Sequence, residues 1–509
     1  AKQGNGGGPY TNEAVGAENY GSLSYIKESP SEKGVIWTGS NDGFVYITKD
    51  NGVSWQNVTP MGLNETLINA IDVSPHDPAT AYIATTRYKF NDFTPAIYKT
   101  TNYGKSWTNI SSGIPYGAYT RVVREDQVRK DLLYAGTETG IYVSFNGGTN
   151  WQPLQLNMPV TPITDLMVHK GNLIVATSGR SFWILDDLSV IEQYNLNKES
   201  LKIFTPVPAV YGSWGSPLNG NSDSFNGTNP FEGVNPANGV VLYYELPKLA
   251  DSVEVTLEIR NSNNVLINFF TSQKDKEFKS WDGGPPSTPV LSKKEGLNRF
   301  VWNMRYPIMA GVPNVYLEAS FRGHVTSPGS YKAILKTGNK IVSTDVVIVK
   351  NPKYEMAEGQ YEEYDVIMTD MEAALTDMHK KVNTLKKAQD QIKEVVESLE
   401  KGNKNADLVK TGNALITQLK TWDEAMIQRK STAYDDVENF PNKFSAEYMF
   451  LINATESAIP SVNKPSKDRK TELELQWQKL NAEATTLINT DIPNFNKLLW
   501  NAGIGAVKM

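Results

Sequence analysis

The stretch "TKDNGVSW" at residues 48–55 decides how the first part of this chain folds, because its frame returns twice. The related stretches are "TTNYGKSW" at residues 100–107 and "SFNGGTNW" at residues 144–151. Each frame begins with Thr or Ser, has Asp or Asn third and Gly fifth, and ends with Trp. The frames start 52 and 44 residues apart, close to the length of one four-stranded unit in a repeat protein.

The residues around each frame form short runs in which apolar and polar side chains alternate. Residues 21–60 contain four such runs, parted by Gly, Asp, Asn and Pro, which is typical of short strands joined by tight turns. Residues 67–111 and 119–155 repeat this pattern, whereas residues 163–193 keep the first three runs and lose the frame. We therefore predict a mainly β, multidomain protein with four β-propeller blades in residues 1–200.

The frame lies between the third and fourth strands of each unit, where the chain must reverse tightly. Asp50 can accept hydrogen bonds from its own turn, Gly52 supplies a backbone angle that is costly for other residues, and Trp55 offers a large ring to bury between blades. We interpret the frame as structural rather than catalytic. Its structural residues in the three copies are Asp50, Gly52, Trp55, Asn102, Gly104, Trp107, Asn146, Gly148 and Trp151.

The small number of visible blades favours a larger ring. Rings of four blades are rare, and an open arc would expose the apolar edges of its terminal blades. The first blade also begins close to residue 1. We therefore expect this chain to be the C-terminal part of a longer polypeptide, with further blades on an N-terminal piece. That N-terminal half, or another protein, is the expected partner.

Two further domains are predicted after the repeats. Residues 201–239 are rich in Gly, Asn, Ser and Pro and predict a linker. Residues 240–352 return to the alternating pattern and predict an immunoglobulin-like β-sandwich, with Phe300 and Trp302 in its core. Residues 353–509 change to a helical period and predict an α-helical hairpin or bundle.

The helical domain is predicted to open with a helix of roughly forty residues that ends near Gly402. Shorter helices are predicted at residues 405–429, 444–458 and 467–490, and in the closing stretch "DIPNFNKLLWNAG". The apolar stripe of the long helix consists of Tyr364, Ile367, Met371, Ala374, Met378, Val382, Leu385, Ile392, Val396 and Leu399.

The bulk composition excludes several classes of protein. The chain has 509 residues, a net charge of −6 and a pI near 5.5, which argues against nucleic-acid binding because that needs a concentrated basic surface. Cysteine is absent, so disulfides, thiolate metal sites and cysteine nucleophiles are excluded. No run of 18 apolar residues occurs, and we predict no membrane-spanning helix.

The sequence predicts neither a cofactor nor a metal site. The four histidines are His76, His169, His324 and His379, and none is paired at metal-ligand spacing. His379 is assigned to a polar helix face. The chain also lacks a phosphate-binding loop, a dinucleotide fingerprint, an EF-hand loop and a nucleophile elbow.

Ligand binding is predicted at the end of the propeller opposite the frame turns, in the loops that join the second strand of each blade to the third. We predict that this loop face binds a protein, a peptide or a glycan, without catalysis of its own. The candidate ligand-binding residues are Asn41, Asp42, Arg87, Asn91, Asp92, Glu138 and Arg180.

A glycoside hydrolase is the alternative function, because such enzymes need only two carboxylates that flank the scissile bond. Asp92 and Glu138 are the candidate pair. Charged loop residues are common and are usually solvated, so the binding function remains the preferred hypothesis.

Several stretches together resemble a large bacterial family of exported proteins of roughly thousand residues, whose members are labelled BNR-repeat glycosyl hydrolases or sortilin-like propeller proteins. The stretches include "IWTGSNDGFVYITKDNGVSWQNVTP", "SPHDPATAYIA" and "GLNRFVWNMRYP". The eight-residue frames resemble the Asp box of that family, which lies away from the ligand.

The resemblance implies an extracytoplasmic protein, periplasmic, outer-membrane-associated or secreted, from which a signal peptide has been removed. It also implies an N-terminal half with further blades. In many relatives a histidine precedes "GRSFWILDD"; this chain has Ser178 there, which weakens any role for a histidine at that position. The hydrolase label rests on the Asp box alone, and the likeness to sortilins is an analogy of fold.

Overall fold

The chain is described by a computed structural model, which covers residues 21–194, 201–220, 234–402, 405–456 and 459–508. It divides into two compact units, Ala1–Leu196 and Asn197–Met509. We name them the blade unit and the C-terminal unit. The chain is mainly β-sheet up to residue 349 and helical from residue 360 onward.

Four antiparallel sheets follow one another in the blade unit, and the strands of each sheet are ordered as they occur in the chain. The first blade consists of β1 (Leu23–Glu28), β2 (Ile36–Ser40), β3 (Val45–Thr48) and β4 (Gln56–Asn57). The second consists of β5 (Leu67–Val73), β6 (Ala81–Arg87), β7 (Asp92–Thr100) and β8 (Thr108–Asn109). The third consists of β9 (Thr120–Glu125), β10 (Leu133–Thr137), β11 (Ile141–Ser144) and β12 (Gln152–Pro153).

The fourth blade has three strands, β13 (Ile163–His169), β14 (Asn172–Thr177) and β15 (Phe182–Leu185), and the short helix α1 (Ser189–Gln193) follows it. The first strands of successive blades contact one another in the order β1, β5, β9, β13. This is the side-by-side packing of propeller blades, and the described residues of the fourth sheet form three strands.

The frame folds as a hydrogen-bonded turn in all three copies. In the first copy the Thr48 hydroxyl donates to Asp50 Oδ1 over 2.7 Å, the Ser54 N–H donates to the same oxygen over 2.8 Å, and the Gly52 N–H donates to Thr48 Oγ1 over 2.9 Å. Hydrogen bonds from Ser54 and Thr48 hold the pKa of Asp50 down to about 2. The second and third copies repeat this pattern of side-chain acceptors.

The frame also joins each blade to the one before it. The indole Nε1 of Trp107 donates to the Val58 carbonyl over 2.7 Å, and that of Trp151 donates to the Ile110 carbonyl over 2.6 Å. Val58 and Ile110 each lie three residues after the tryptophan of the preceding frame. Trp55, in the first frame, is 43% exposed. Trp151 is 5% exposed and Trp107 is partly buried, so the predicted burial between blades is complete only for the third frame.

We expect Trp151→Phe to lower the free energy of unfolding of the blade unit by about 1–2 kcal/mol, because it leaves the buried Ile110 carbonyl without its donor. Trp55→Phe should change it by less than about 0.5 kcal/mol, since that ring is largely exposed. Hydrogen exchange of the strand amides measures the change in unfolding free energy for each of the two substitutions. Equal effects of the two substitutions would show that the indole bond between blades contributes nothing.

Charged side chains link the inner strands of the blades. Arg124 on β9 donates to Asp165 Oδ1 on β13 over 2.7 Å and to the Tyr25 hydroxyl on β1 over 2.9 Å. Asp72 on β5 accepts the Glu125 N–H over 2.9 Å, and burial raises its pKa to about 6. These hydrogen bonds and ion pairs join residues of different blades, so they stabilise the packing of the blades against one another.

Two sheets form the β part of the C-terminal unit. One contains, in order across the sheet, β16 (Lys202–Ile203), β18 (Val240–Leu246) and β21 (Gly296–Trp302). The other contains β17 (Ala209–Val210), β23 (Lys340–Val349), β22 (Gly329–Thr337), β19 (Val255–Asn261) and β20 (Leu266–Thr271). Phe300 and Trp302 are buried in the shared core, as predicted.

The segment predicted as a linker differs in part from that prediction. β16 and β17 lie within it and pair with the two sheets, and Phe204 and Tyr211 are buried. Their apolar side chains contribute to packing although Pro and Gly surround them. Residues 221–233 of the predicted linker lie outside the described residues.

The helices agree closely with the predicted ones. They are α2 (Gln360–Lys401), α3 (Ala406–Met426), α4 (Asp436–Asn439), α5 (Phe444–Thr455), α6 (Lys464–Thr486) and α7 (Ile492–Asn501), and a π-helical turn (Leu487–Asp491) joins the last two. Within the described ranges, none of these helices combines the length and the apolar character that crossing a membrane requires.

The apolar stripe of α2 is displaced from the predicted one near its start. Met368 and Leu375 are fully buried, whereas Ile367 and Ala374 are only partly buried at its edge. Tyr364, Met368, Met371 and Leu375 follow one another in steps of four, three and four residues along one helix face, so the predicted steps to Ile367 and Ala374 were each one residue too short.

The assignment of His379 to a polar face was wrong. Its side chain is fully buried, with Nδ1 donating to the Ala310 carbonyl and Nε2 accepting from the Ser445 hydroxyl. These partners come from other parts of the C-terminal unit, so the local pattern of α2 could not indicate them. Burial lowers the pKa of His379 and so favours its neutral ring.

Candidate functional site

The loop face of the blade unit is formed by the turns between the second and third strands and by the connections between blades. In an up-and-down sheet these segments lie at the end opposite the frame turns. The second-to-third turns are residues 41–44, 88–91, 138–140 and 178–181. They contain or adjoin all seven predicted ligand-binding residues.

Four aromatic side chains form a continuous surface on the loop face where the second and third blades meet. Tyr88 stacks on Tyr119 with ring centroids 5.7 Å apart, and Phe93 lies 6.0 Å from Tyr119 and 6.3 Å from Tyr116. Tyr119 is buried beneath the others, whereas Tyr116 is 70% exposed and Tyr88 is 39% exposed. We name Tyr88, Phe93, Tyr116 and Tyr119 the aromatic shelf.

An arginine and a carboxylate lie beside the aromatic shelf on the third blade. Arg121 donates from Nε to Glu138 Oε2 over 2.8 Å and from Nη2 to the Tyr119 hydroxyl over 3.2 Å. Its guanidinium lies 5.4 Å from the centre of the Tyr119 ring. Burial and the contact with Glu138 raise the pKa of Tyr119. Arg121 is thus a member of the site that the sequence did not indicate.

A second ion pair lies on the second blade, next in sequence to Tyr88 and Phe93. Arg87 Nε donates to Asp92 Oδ2 over 3.1 Å, and Nη1 of the same side chain donates to the Glu65 carbonyl. Hydrogen bonds from Thr94, with a smaller contribution from Arg87, lower the pKa of Asp92. The carboxylate is therefore ionised and paired.

The other predicted residues have local roles. Asp42 is buried and accepts from the Ser40 hydroxyl, and Asn41 Oδ1 accepts the Gly21 N–H over 2.8 Å. Asn91 ends the short turn after β6 with a φ of 54°. Arg180 is exposed, and its carbonyl accepts Trp183 Nε1 over 2.9 Å.

The structure thus joins Glu138 to the aromatic shelf through Arg121, whereas Arg87 and Asp92 are the sequence neighbours of Tyr88 and Phe93 and pair with each other. For Asn41, Asp42 and Arg180, the described residues show no direct hydrogen bond or ion pair to the shelf.

The aromatic shelf was missed because its members come from segments that are distant in sequence. The available signal was the density of aromatic residues in two loops, "RYKFNDF" at residues 87–93 and "PYGAY" at residues 115–119. Exposed aromatic residues in loops on a rigid scaffold are typical of recognition surfaces. The ligand-binding residues predicted in these loops are all charged or amide side chains.

Among the described residues, no group of three or more His, Asp or Glu side chains is placed to hold a metal ion. The blade unit has carboxyl groups with strongly raised pKa values, but they lie away from the shelf. Burial raises the pKa of Asp72 to about 6 on an inner strand and that of Glu192 to about 7 on α1. The loop face therefore presents an aromatic surface with an ion pair beside it.

Comparison with solved structures gives matches of low sequence identity and low TM-score. One is YCF48 bound to D1 peptide, with 18% identity over 33% of this chain and 52% of that chain and a TM-score of 0.27. Another is YCF48 from Cyanidioschyzon merolae, with 17% identity over 50% of this chain and 72% of that one and a TM-score of 0.26. A third is the GH74 xyloglucanase from Xanthomonas campestris, with 13% identity over 64% of this chain and 45% of that one and a TM-score of 0.27.

These matched structures are β-propeller proteins. This chain spans about half the length of the first of them. No protein-family model matches the chain. No curated protein matches it either.

Proposed function

We propose that the chain binds a protein, a peptide or a glycan on the loop face, with the aromatic shelf as its central contact. The observation that supports this is the stack of Tyr88 on the buried Tyr119, which Phe93 and Tyr116 extend, with the Arg121–Glu138 ion pair in contact with Tyr119. Rigid aromatic side chains supply contact area at a small cost in conformational entropy. Paired charges at the rim supply hydrogen bonds once the ligand has excluded water.

The glycoside hydrolase remains the second candidate, and the state of its carboxylates argues against it. A catalytic acid of this class needs a raised pKa so that it is protonated near neutral pH. The pKa of Asp92 is lowered instead, and Glu138 is held by Arg121 in a close ion pair. The arrangement suits recognition better than proton transfer.

Further features belong to the same proposal. We place the protein among exported, Asp-box and sortilin-like propeller proteins, with an immunoglobulin-like sandwich and a helical domain that serve assembly. The agreement of the three frames in hydrogen bonding supports the Asp-box assignment.

We expect Tyr116→Ala to weaken ligand binding at least tenfold, because it removes an exposed aromatic contact from the shelf. The matched control is Tyr434→Ala, which removes a similarly exposed tyrosine from the C-terminal unit. Arrays of peptides and of glycans, probed with the full chain, identify the ligand class, and titration then measures both variants. Equal binding by the two variants would contradict the proposed site.

A glycan panel tests the hydrolase alternative directly. We expect no product from the full chain, and equal behaviour of Asp92→Asn and Glu138→Gln. Product release that either substitution abolishes would replace the binding function with catalysis. Binding to a glycan without product release would retain the proposal and set the ligand class.

A further inference from the structure

A groove lies between α3 and α6 in the C-terminal unit, beside the π-helical turn that follows α6. Its volume is about 410 Å³, which is within the range of small-molecule sites. The buried side chains of Trp422 and Leu487 contribute its apolar lining. We name it the helix groove, and its other lining residues are Thr417, Gln418, Thr421, Glu483, Thr486 and Asp491.

The hydroxyl groups that line the helix groove act as hydrogen-bond acceptors. The hydroxyls of Thr417, Thr421 and Thr486 donate over 2.9, 2.9 and 3.0 Å to the carbonyls four residues earlier in their own helices. A hydroxyl has a single proton, so these three oxygens offer only lone pairs to a ligand. The groove therefore favours a ligand that supplies several donors.

The helix groove also carries negative charge. In the described part of the chain, the carboxylates of Glu483 and Asp491 form neither an ion pair nor a hydrogen bond. The indole N–H of Trp422 donates to the Leu480 carbonyl over 2.8 Å, which fixes the ring in the lining. An indole is the best aromatic partner for a cation, so the lining favours a positively charged ligand.

The π-helical turn brings the two carboxylates toward the same side of the helix. In an uninterrupted α-helix, position 491 would lie about 80° around the axis from position 483, because eight residues make slightly more than two turns. A π-helical turn closes i→i+5 hydrogen bonds, so it holds more residues per turn and reduces that angle. Glu483 and Asp491 consequently line one groove, on the order of 10 Å apart along the axis.

We propose that the helix groove binds a linear polyamine, with one terminal ammonium at Glu483 and the other at Asp491. The ammonium groups supply the donors and the positive charge that this lining lacks. The methylene chain packs on Trp422 and Leu487. The spacing suits spermidine, whose terminal nitrogens lie about 11 Å apart in the extended chain. This site is in the C-terminal unit and is independent of the ligand proposed for the loop face.

Isothermal titration calorimetry of the full chain with spermidine tests the proposal. We expect saturable binding of one spermidine per chain, and Asp491→Asn or Glu483→Gln should weaken it at least tenfold. The control is Glu394→Gln, an exposed carboxylate of α2 outside the groove, which should change binding less than twofold. Equal weakening by all three variants would overturn the proposal, because the overall negative charge would then attract the cation. Failure of the native chain to bind spermidine would also overturn it.

Two other ligands separate a polyamine from other occupants of the groove. Doubly acetylated spermidine, in which both terminal nitrogens are amides, keeps the chain but loses the terminal charges, and we expect at least tenfold weaker binding. A short peptide with a single lysine offers one ammonium and should bind more weakly than spermidine. Tighter binding of that peptide would overturn the proposal in favour of a lysine-bearing partner.

A further variant separates loss of binding from loss of folding. Thr421→Val removes one acceptor from an exposed position, and we expect it to weaken spermidine binding about threefold while the far-ultraviolet circular dichroism of the helices stays unchanged. Unchanged binding would show that the threonine oxygens do not contact the ligand and would overturn the proposed mode. Tyr116→Ala should bind spermidine as the native chain does, so the two proposals stand or fall separately.

Discussion

Gly148→Ala is expected to lower the free energy of unfolding of the blade unit by about 3 kcal/mol. Two costs add at this position. The residue has a φ of 91°, a left-handed conformation that costs an L-residue roughly 1–2 kcal/mol. The new Cβ would also lie 2.4 Å from Ile110 Cδ1 and 2.8 Å from Ile110 Cβ, which forces the packed interface between the second and third blades apart at about 1–3 kcal/mol.

The matched control is Gly52→Ala, at the same position of the first frame. Its φ is 94°, so the backbone cost is the same, but no atom lies within 4 Å of the added Cβ. We expect a loss of only about 1–2 kcal/mol. Hydrogen exchange of the amides of β9 to β11 and of β1 to β3 measures each effect locally. If both substitutions destabilised equally, the steric contact between blades would be irrelevant and only turn geometry would matter.

The sequence predicted the blades because the frame is a local device. Asp50, Gly52 and their equivalents interact within eight residues, so the pattern is visible without knowledge of the fold. The order of strands within each sheet follows from short connections, which join neighbours in sequence. The long helix was likewise visible, since a periodic stripe and the terminal Gly402 lie within one segment.

The candidate site was only partly predictable, since it depends on contacts between segments. The loop face follows from the blade topology, and Arg87, Asp92 and Glu138 were named on that ground. The aromatic shelf requires Tyr88 to meet Tyr119 from the next blade. No spacing in the chain encodes that contact.

The same limit explains the wrong assignment of His379. Asp and Lys residues next to a histidine predict an exposed side chain. The residues that bury His379, Ala310 and Ser445, are 69 and 66 residues away in sequence, so the local pattern does not include them. The strands β16 and β17 were missed for a related reason. Each contains two residues, too few to show an alternating pattern.

His324 shows a stronger consequence of such distant contacts. Its side chain is fully buried between two carboxylates of α2. Nε2 lies 3.1 Å from Asp365 Oδ1, and Nδ1 lies 3.1 Å from Glu372 Oε2. The ring stacks on Tyr306 with centroids 4.3 Å apart. Asp365 and Glu372 are two helical turns apart and so share one face of α2.

These contacts favour the protonated imidazole. Burial alone would lower the pKa of His324, but the hydrogen bonds and charges of Asp365 and Glu372 outweigh it and raise the pKa to about 9, above the ordinary value of 6.5. The folded state therefore binds this proton more tightly than the unfolded chain. The resulting stabilisation, roughly 3 kcal/mol, is fully present below about pH 6.5 and is lost as the pH rises through about 9.

We expect Glu372→Gln to remove most of this pH dependence and to destabilise the C-terminal unit by roughly 2–3 kcal/mol at neutral pH. Glu372 accepts the His324 backbone N–H over 2.7 Å, and the glutamine keeps an oxygen that can accept it. The loss of stability therefore measures the contribution of the negative charge of Glu372. Urea unfolding followed by far-ultraviolet circular dichroism is the measurement, because the long helices all belong to this unit.

The matched control for that experiment is Glu394→Gln, an exposed position on the same helix. It removes one negative charge from α2 without touching His324, and we expect a change below about 0.5 kcal/mol with the alkaline loss intact. The two variants together separate the specific ion pair from the general charge of the helix. If the native chain kept its full stability between pH 6.5 and 9, or if both variants lost the pH dependence, His324 would not carry its proton in the folded state. The contact between His324 and Glu372 would then involve a neutral imidazole and would not be an ion pair.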